Sequence, residues 1–223
     1  MQKIVPMNRR MICARHTRLF FGVKRLFDLA LASFLLVLLF PVLLVIAVAV
    51  AIDTGSSPIF VQIRMGRNNV PFKMMKFRTM SPNAPANVAT YKLKDADRYI
   101  SRLGRFLRRS SLDELPQLWN ILLGHMSFIG PRPVVLTERA LLELRTRNGA
   151  NTVRPGLTGW AQVNGRDDVP ITEKAMLDAY YVRRFSLAVD LRILVRTVGY
   201  VFRGEGVTEG ANPRVDDSLR HSA

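Results

Sequence analysis

Residues 29–52, LALASFLLVLLFPVLLVIAVAVAI, form an uncharged run of 24 residues. Such a run is long enough to be embedded in a membrane. It is too long for a signal-peptide core, and AVAVAIDTGSSP leads on into more protein, so no cleavage is expected. A buried helix of a soluble protein is the plainer alternative, but such helices rarely lack every polar break. A straight helix of this length covers about 36 Å, enough to cross a ~30 Å hydrocarbon core. Pro41 lies near its middle. Proline removes a backbone donor and clashes with the preceding turn, so it bends or breaks a helix. Each half then covers roughly 17 Å and cannot cross alone.

The flanks separate the two geometries. Lys3, Arg9, Arg10, Arg15, Arg18, Lys24 and Arg25 precede the run, with no acid before Asp28. Arg64, Arg67, Lys73, Lys76 and Arg78 follow it. Basic residues near membrane segments prefer the cytoplasmic side. A single crossing with an external domain would strand one basic flank. A re-entrant hairpin keeps both inside. Asp28 stands one turn after Lys24 and Arg25, where pairing would reduce its cost near the interface.

The 223-residue chain carries a formal charge of +16 and a pI near 11.1. An anionic partner is implied: nucleic acid, a membrane surface or a phosphorylated substrate. Cys13 is the only cysteine and the histidines (His16, His125, His221) are scattered. A disulfide framework, a thiolate cluster and a histidine zinc site are therefore not expected.

The rest of the chain reads as mostly α with a small β element. Residues 58–80 hold short β-prone pieces around a turn at Gly66–Asn69. Residues 81–90 read as a loop. In YKLKDADRYISRLGRFLRRSS, Ile100, Leu103, Phe106 and Leu107 recur at helical spacing, with Lys94, Arg98, Arg102, Arg105 and Arg109 elsewhere. Beside residues 29–52 this favours a basic amphipathic helix on a membrane surface over an ordinary surface helix. PQLWNILLG reads as a short helix with proline near its start and Gly124 past its end. FIGPRPVV and VRPGLTGWAQVNGR read as loops, and a helical pattern returns from Thr172 to about Phe202. There is no internal repeat, no GxxxxGK[ST] phosphate loop and no GxGxxG fingerprint. Four segments follow: a basic N-terminal segment (1–23), a re-entrant helix-break-helix (24–56), a compact domain (57–205) and a polar tail (206–223).

Asp113 and Glu114, in SSLDELPQLWN, admit two readings. In one, Ser111 is an N-cap and Glu114 completes a capping box. Pro116 disfavours helical geometry at Leu115, so the helix would instead start at Pro116, with the acids just before its positive end. In the other reading the pair is reactive. An ionised carboxylate needs no base to act as a nucleophile. Against a diphosphate it needs a divalent cation and arginines to remove the repulsion. Lys76, Arg78, Arg108, Arg109, Arg132, Arg154 and Arg166 are available in candidate loops. Magnesium suits carboxylate and phosphate ligands better than zinc.

Four blocks now stand in order: KRLFD at 24–28 with PFKMMKFRTM, LGRFLRRSSLDELPQLWNILLGHMSFIGPRP, RPGLTGWAQVNGR, and YYVRRFSLAVDLRILVRT. With them the chain resembles the bacterial sugar transferases, the monotopic phosphoglycosyl transferases that start glycan assembly on polyprenol phosphate. The resemblance implies transfer of sugar-1-phosphate from a UDP-sugar to polyprenol (undecaprenyl) phosphate, with release of UMP. It implies the first membrane step of exopolysaccharide, O-antigen, capsule or glycoprotein glycan assembly. It makes Asp113 the nucleophile of an aspartyl-phosphosugar intermediate and Glu114 its dyad partner, both able to position Mg2+. Lys76, Arg78 and Arg132 would hold phosphates, with Arg166 a weaker candidate. Pro131 and Pro133 would stiffen the Arg132 loop, and Asp178 and Asp190 match acidic positions with a structural alternative. It implies a bacterial inner-membrane protein with its catalytic domain on the cytoplasmic face, membrane lipids as partners, room for a homodimer, and no nucleic acid. Phe40 stands where many members have serine, and His125 where many have an acid. The competing reading is a basic membrane-anchored module that binds anionic lipid or nucleic acid.

Overall fold

Pro41 breaks the long apolar run where expected. In the computed structural model, which describes residues 15–85, 98–164 and 169–203, helix α1 (Arg15–Leu38) and helix α2 (Phe40–Thr54) meet at a 65° bend. The ring of Pro41 cannot follow the carbonyl of Val37 in an unbroken helix. Leu39 relaxes to φ −92°, ψ 3°, outside α-helical values. The flanking bonds survive: Leu39 N–H donates to Leu35 (2.9 Å) and Leu43 N–H to Leu39 (2.8 Å). Among the described residues no single helix is long and apolar enough to cross a membrane; only this bent pair passes together. α1 starts at Arg15, inside the stretch expected to be a separate basic segment. α2 ends at Gly55, whose left-handed φ of 60° lets its N–H cap Ala51.

α1 has two unlike faces. Lys24, Asp28, Ala32 and Leu36, spaced by four, are buried in the protein. Leu26, Phe27, Phe34, Val37 and Leu38 are exposed. The same division continues on α2, where Ile46 and Val50 are buried and Leu44, Val45, Val48 and Ile52 are not. Asp28 does not pair with Lys24 as expected. Lys24 Nζ reaches Asp190 at 2.8 Å, and Asp28 accepts from Ser127 Oγ (3.1 Å) and the N–H of Phe128 (3.2 Å). Tyr181 donates to the other oxygen of Asp190 at 2.9 Å. Buried charges need such hydrogen bonds to offset lost hydration.

Strands β1 (Ile59–Met65) and β2 (Pro71–Phe77) form an antiparallel hairpin with Ile59 opposite Phe77 and Met65 opposite Pro71. Its turn runs through left-handed Asn68 and Asn69, a conformation asparagine tolerates. Helix α3 (Arg102–Arg109) starts at Ser101, whose Oγ accepts the N–H of Gly104 at 2.9 Å. It is shorter than the expected amphipathic helix: Ile100 bridges to Met80 instead, and residues 86–97 lie outside the described residues. Helix α4 (Gln117–Leu122) follows the acidic pair. The segments expected as loops carry short strands. β3 (Ser127–Ile129) runs parallel to β5 (Gly156–Thr158), and β4 (Val134–Val135) adds to β1. β3 and β5 can approach closely because Gly130 and Gly156 carry no side chain; a Cβ on either would collide with the facing backbone.

Helices α5 (Arg139–Asn148), α6 (Ile171–Arg184) and α7 (Leu187–Arg203) complete the fold. The expected C-terminal helical stretch is therefore two helices. Phe185 leaves helical geometry to pack its ring 4.9 Å from that of Phe21 on α1. Ser186 then opens α7, its Oγ accepting from Val189 N–H at 3.3 Å.

α4 is only six residues long, too short to be stable alone. Asn120 fixes its middle: Nδ2 donates to Lys73 O (2.7 Å) and Oδ1 accepts from Met75 N–H (2.9 Å), both on β2. Arg25 of α1 fixes its end, donating to the carbonyls of Ile121 (2.7 Å) and Leu122 (3.0 Å). Asn120 is fully buried. Asn120→Ala strands two β2 backbone groups, so a loss of about 2–4 kcal/mol is expected, read as a lowered melting temperature of the detergent-solubilised protein.

Candidate active site

Asp113 and Glu114 occupy a single 3-10 turn, Leu112–Glu114, between α3 and α4. The capping box does not form. Ser111 sits at φ 58°, ψ 15° with no side-chain capping bond. Only its carbonyl takes part, accepting from Glu114 N–H at 3.2 Å. A left-handed residue turns its hydroxyl away from the following N–H groups, whereas a capping serine is extended. Leu115 is helical (φ −53°, ψ −37°) despite preceding Pro116, and α4 starts just beyond that proline. Leu112 and Leu115 anchor the turn in an apolar cluster with Leu107, Phe77 of β2, and Ile46 and Val50 of α2. The acidic pair is thus seated directly on the second arm of the bent helix pair.

The two acids face different surroundings. Glu114 Oε1 accepts from Arg132 Nη2 at 2.7 Å and from Lys76 Nζ at 3.3 Å. Burial alone would raise its pKa, but Arg132 and Lys76 outweigh burial and hold it at about 2. Asp113 is 7% exposed and receives no hydrogen bond or ion pair from the described residues. Burial pushes it up to about 6, helped by Glu114 and opposed by Lys76, Arg108 and Arg132. Burial also lowers the Lys76 ammonium, against the pull of Glu114 and Asp113. Arg108 is held by Thr79, its Nε donating to Oγ1 at 2.8 Å. The pair therefore combines one anchored carboxylate with one whose oxygen lone pairs are unspent, under a basic rim.

A family model described as bacterial sugar transferase matches residues 19–204. The chain belongs to the bacterial sugar transferase family. This bacterial sugar transferase is 40% identical over 191 residues to the sugar transferase EpsL of Bacillus subtilis, covering 84% of the chain and 91% of that relative. It is 39% identical to a UDP-galactose-lipid carrier transferase of Erwinia amylovora, covering 86% of the chain but only 43% of that relative. It is 40% identical to the UDP-glucose:undecaprenyl-phosphate glucose-1-phosphate transferase of Escherichia coli, covering 79% of the chain and 39% of that relative. The chain thus spans less than half the length of two of these three relatives. Membership places it among transferases, and the reading as a non-catalytic binding module gives way.

Of the residues singled out in the sequence, the sugar transferase fold brings together Asp113, Glu114, Lys76 and Arg132. Arg78 lies apart from the carboxylates: its Nε donates to Ser57 O at 2.9 Å and its guanidinium sits 5.8 Å over the Phe60 ring. Arg166 falls outside the described residues. Asp178 and Asp190 are structural in their contacts. Asp178 takes two bonds from Arg145 (2.6 and 2.8 Å). Arg145 Nη1 in turn donates to the carbonyl of Arg132 at 2.8 Å. Pro133 O accepts from Arg64 at 3.3 Å and Pro131 O from Gly156 N–H at 3.0 Å. The GPRP loop is therefore held through its backbone, which aims Arg132 at Glu114. His125 packs its ring 5.7 Å from that of Phe72. Sequence reasoning missed Asn120, Arg64 and Arg145. A lone asparagine amid the apolar residues of α4 was the one available signal.

The opposite shifts give opposite pH effects. Asp113, raised from 3.8 to about 6, costs stability above that range and nothing below pH 3.8. Asp113→Asn should therefore stabilise the protein at pH 7 by on the order of 2 kcal/mol, with the gain vanishing near pH 4. Glu114, lowered from 4.5 to about 2, contributes stability above pH 4.5 that is lost as pH falls towards 2. Glu114→Gln should destabilise at pH 7. Melting curves of both variants across this pH range test the pair.

Proposed function

We propose that this transferase moves a sugar-1-phosphate from a UDP-sugar to undecaprenyl phosphate, with Asp113 as the nucleophile. The observation that carries the reading is the unbonded Asp113 carboxylate beside a Glu114 locked by Lys76 and Arg132. The names of the Erwinia amylovora and Escherichia coli relatives support the substrate classes. An Asp113 oxygen attacks the phosphorus that carries the sugar. The bond from that phosphorus to the bridging oxygen breaks, and UMP departs with the electron pair. An oxygen of undecaprenyl phosphate then attacks the same phosphorus, and the bond to Asp113 breaks. The carboxylate is regenerated and the product is a polyprenol diphosphate sugar.

A pKa near 6 suits this task. The carboxylate is mostly ionised at neutral pH, yet more basic than an ordinary aspartate and so a better nucleophile. Lys76 and Arg132 offset the charge of incoming phosphates. Magnesium fits the donor set: two adjacent carboxylates with no third His, Cys, Asp or Glu converging on them among the described residues. Magnesium typically takes one or two carboxylates and completes its shell with phosphate oxygens and water. Asp113 and the second oxygen of Glu114 would hold it, and when bound it would neutralise diphosphate charge.

The bent pair suits a re-entrant membrane anchor. The 15 residues of α2 span about 22 Å. With both arms equally inclined at a 65° bend, the apex reaches roughly 12 Å deep, within one leaflet. Exposed Leu187, Leu191, Val195 and Val198 recur along one side of α7, which suits a helix lying on the same surface. Donor would arrive from the cytoplasm and lipid phosphate from the interface.

Two measurements test the chemistry. Incubation with the correct UDP-sugar alone should add one sugar-phosphate mass to the intact protein, and Asp113→Asn should abolish both this adduct and UMP release. A loss of at least about three orders of magnitude is expected; undiminished UMP release by Asp113→Asn would overturn the covalent role. Turnover should rise with pH through about 6 as Asp113 ionises.

A further inference from the structure

A second basic site stands at the other end of α4. An open cavity of about 370 Å³, counting its solvent-filled mouth, is lined by Arg25, Arg67 and Arg154 together with Asp28, Ser127 and Tyr181. None of Asp113, Glu114, Lys76 or Arg132 lines it. The three guanidiniums come from α1, from the β1–β2 turn and from the stretch before β5. Lys24 also lines the cavity but is neutralised by Asp190 at 2.8 Å. Three arginines against the one carboxylate of Asp28 leave a net charge of +2 on the lining.

The arginines are held in place by bonds that use only part of their donors. Arg25 donates both Nη groups to the carbonyls ending α4. Arg67 uses Nε on Thr152 O (2.8 Å) and Arg154 uses Nε on Gly124 O (2.8 Å). The Nη groups of Arg67 and Arg154 have no acceptor, and none of the three arginines has a carboxylate partner, among the described residues. Arg154 is half-buried, and its pKa is lowered by burial and by the nearby Arg25 and Arg67. Like charges are thus assembled with anchored stems and unspent forks, the geometry that binds a tetrahedral oxyanion.

The geometry points to a phosphate-binding site formed by Arg67 and Arg154, with Arg25 behind them, separate from the acidic pair. Its occupant is a phosphate group, either a lipid headgroup or a soluble phosphate ester. The level of the site favours the headgroup. Arg25 precedes the apolar run by one turn, and the neighbouring Leu26 and Phe27 are 69% and 49% exposed. On an inserted α1 the cavity opens in the headgroup layer.

The test needs no turnover. Full-length Arg132→Gln protein in neutral detergent, with the acidic-pair site weakened, is dialysed against radiolabelled inorganic phosphate. One bound phosphate is expected. Adding Arg67→Gln and Arg154→Gln should weaken it by about tenfold or more, the loss of a charge-assisted bond. The single variant Arg67→Gln, at an exposed side chain, should show the same direction should the combined variant fold poorly by circular dichroism. The protein is then placed in phosphatidylcholine nanodiscs with and without phosphatidylglycerol. Displacement of phosphate by phosphatidylglycerol identifies the lipid headgroup as occupant; retention identifies a soluble phosphate. Absence of phosphate binding together with no retained phosphatidylglycerol, or binding unchanged in folded Arg67→Gln and Arg154→Gln protein, overturns the site.

Discussion

The fixing of α4 is the constraint on which the rest of the sugar transferase depends. Six residues cannot hold a helix by propensity. Asn120 ties the middle of α4 to the β2 backbone, and Arg25 and Arg154 meet the carbonyls at and beyond its end. Cations at a helix C-terminus also complement its dipole. The acidic turn leads into the other end. Because β2 also carries Lys76, the bonds that fix α4 set the distance between Lys76 and Glu114. One short helix thereby links α1, the hairpin and the acidic pair.

Two neighbouring acids of the same charge end in different states because their partners are divided unequally. Glu114 takes a lysine and an arginine on one oxygen, whereas Asp113 takes neither. The same cations that stabilise Glu114 moderate the charge on Asp113 without occupying it. Behind Arg132 stands a buried ion pair, Arg145–Asp178, reached from α5 and α6. Two helices that give the acidic pair no hydrogen bond among the described residues therefore contribute to its geometry through Arg132.

Much of this was legible in the sequence where the signal was local. Pro41 within an apolar run announced the bend, Gly66–Asn69 the hairpin turn, and Pro116 the start of α4. The acidic pair stood out as adjacent acids before a proline, and of the basic residues set beside it Lys76 and Arg132 meet Glu114. Misreadings came where long-range contacts override local pattern. Ser111 and Glu114 have capping-box spacing, but the turn places Ser111 in the left-handed region. Ile100 has helical spacing but joins Met80 in a bridge. No glycine or proline marks the break after α6, which an aromatic contact between Phe185 and α1 imposes. Asn120 and Arg145 act on backbone groups distant in sequence, which no spacing rule reveals.

The four-residue stripe on α1 has a consequence for how the protein is made. Lys24 and Asp28 leave the ribosome early, and Asp190, the partner of Lys24, is 166 residues downstream. At synthesis rates of about 5–20 residues per second, the lysine waits roughly ten to thirty seconds. During that interval the inner face of α1 lacks the partners that later bury it: Asp190 for Lys24, and Ser127 and Phe128 for Asp28. Trimming α1 to obtain a soluble fragment would remove one wall of that interior and leave Asp190 buried without its cation.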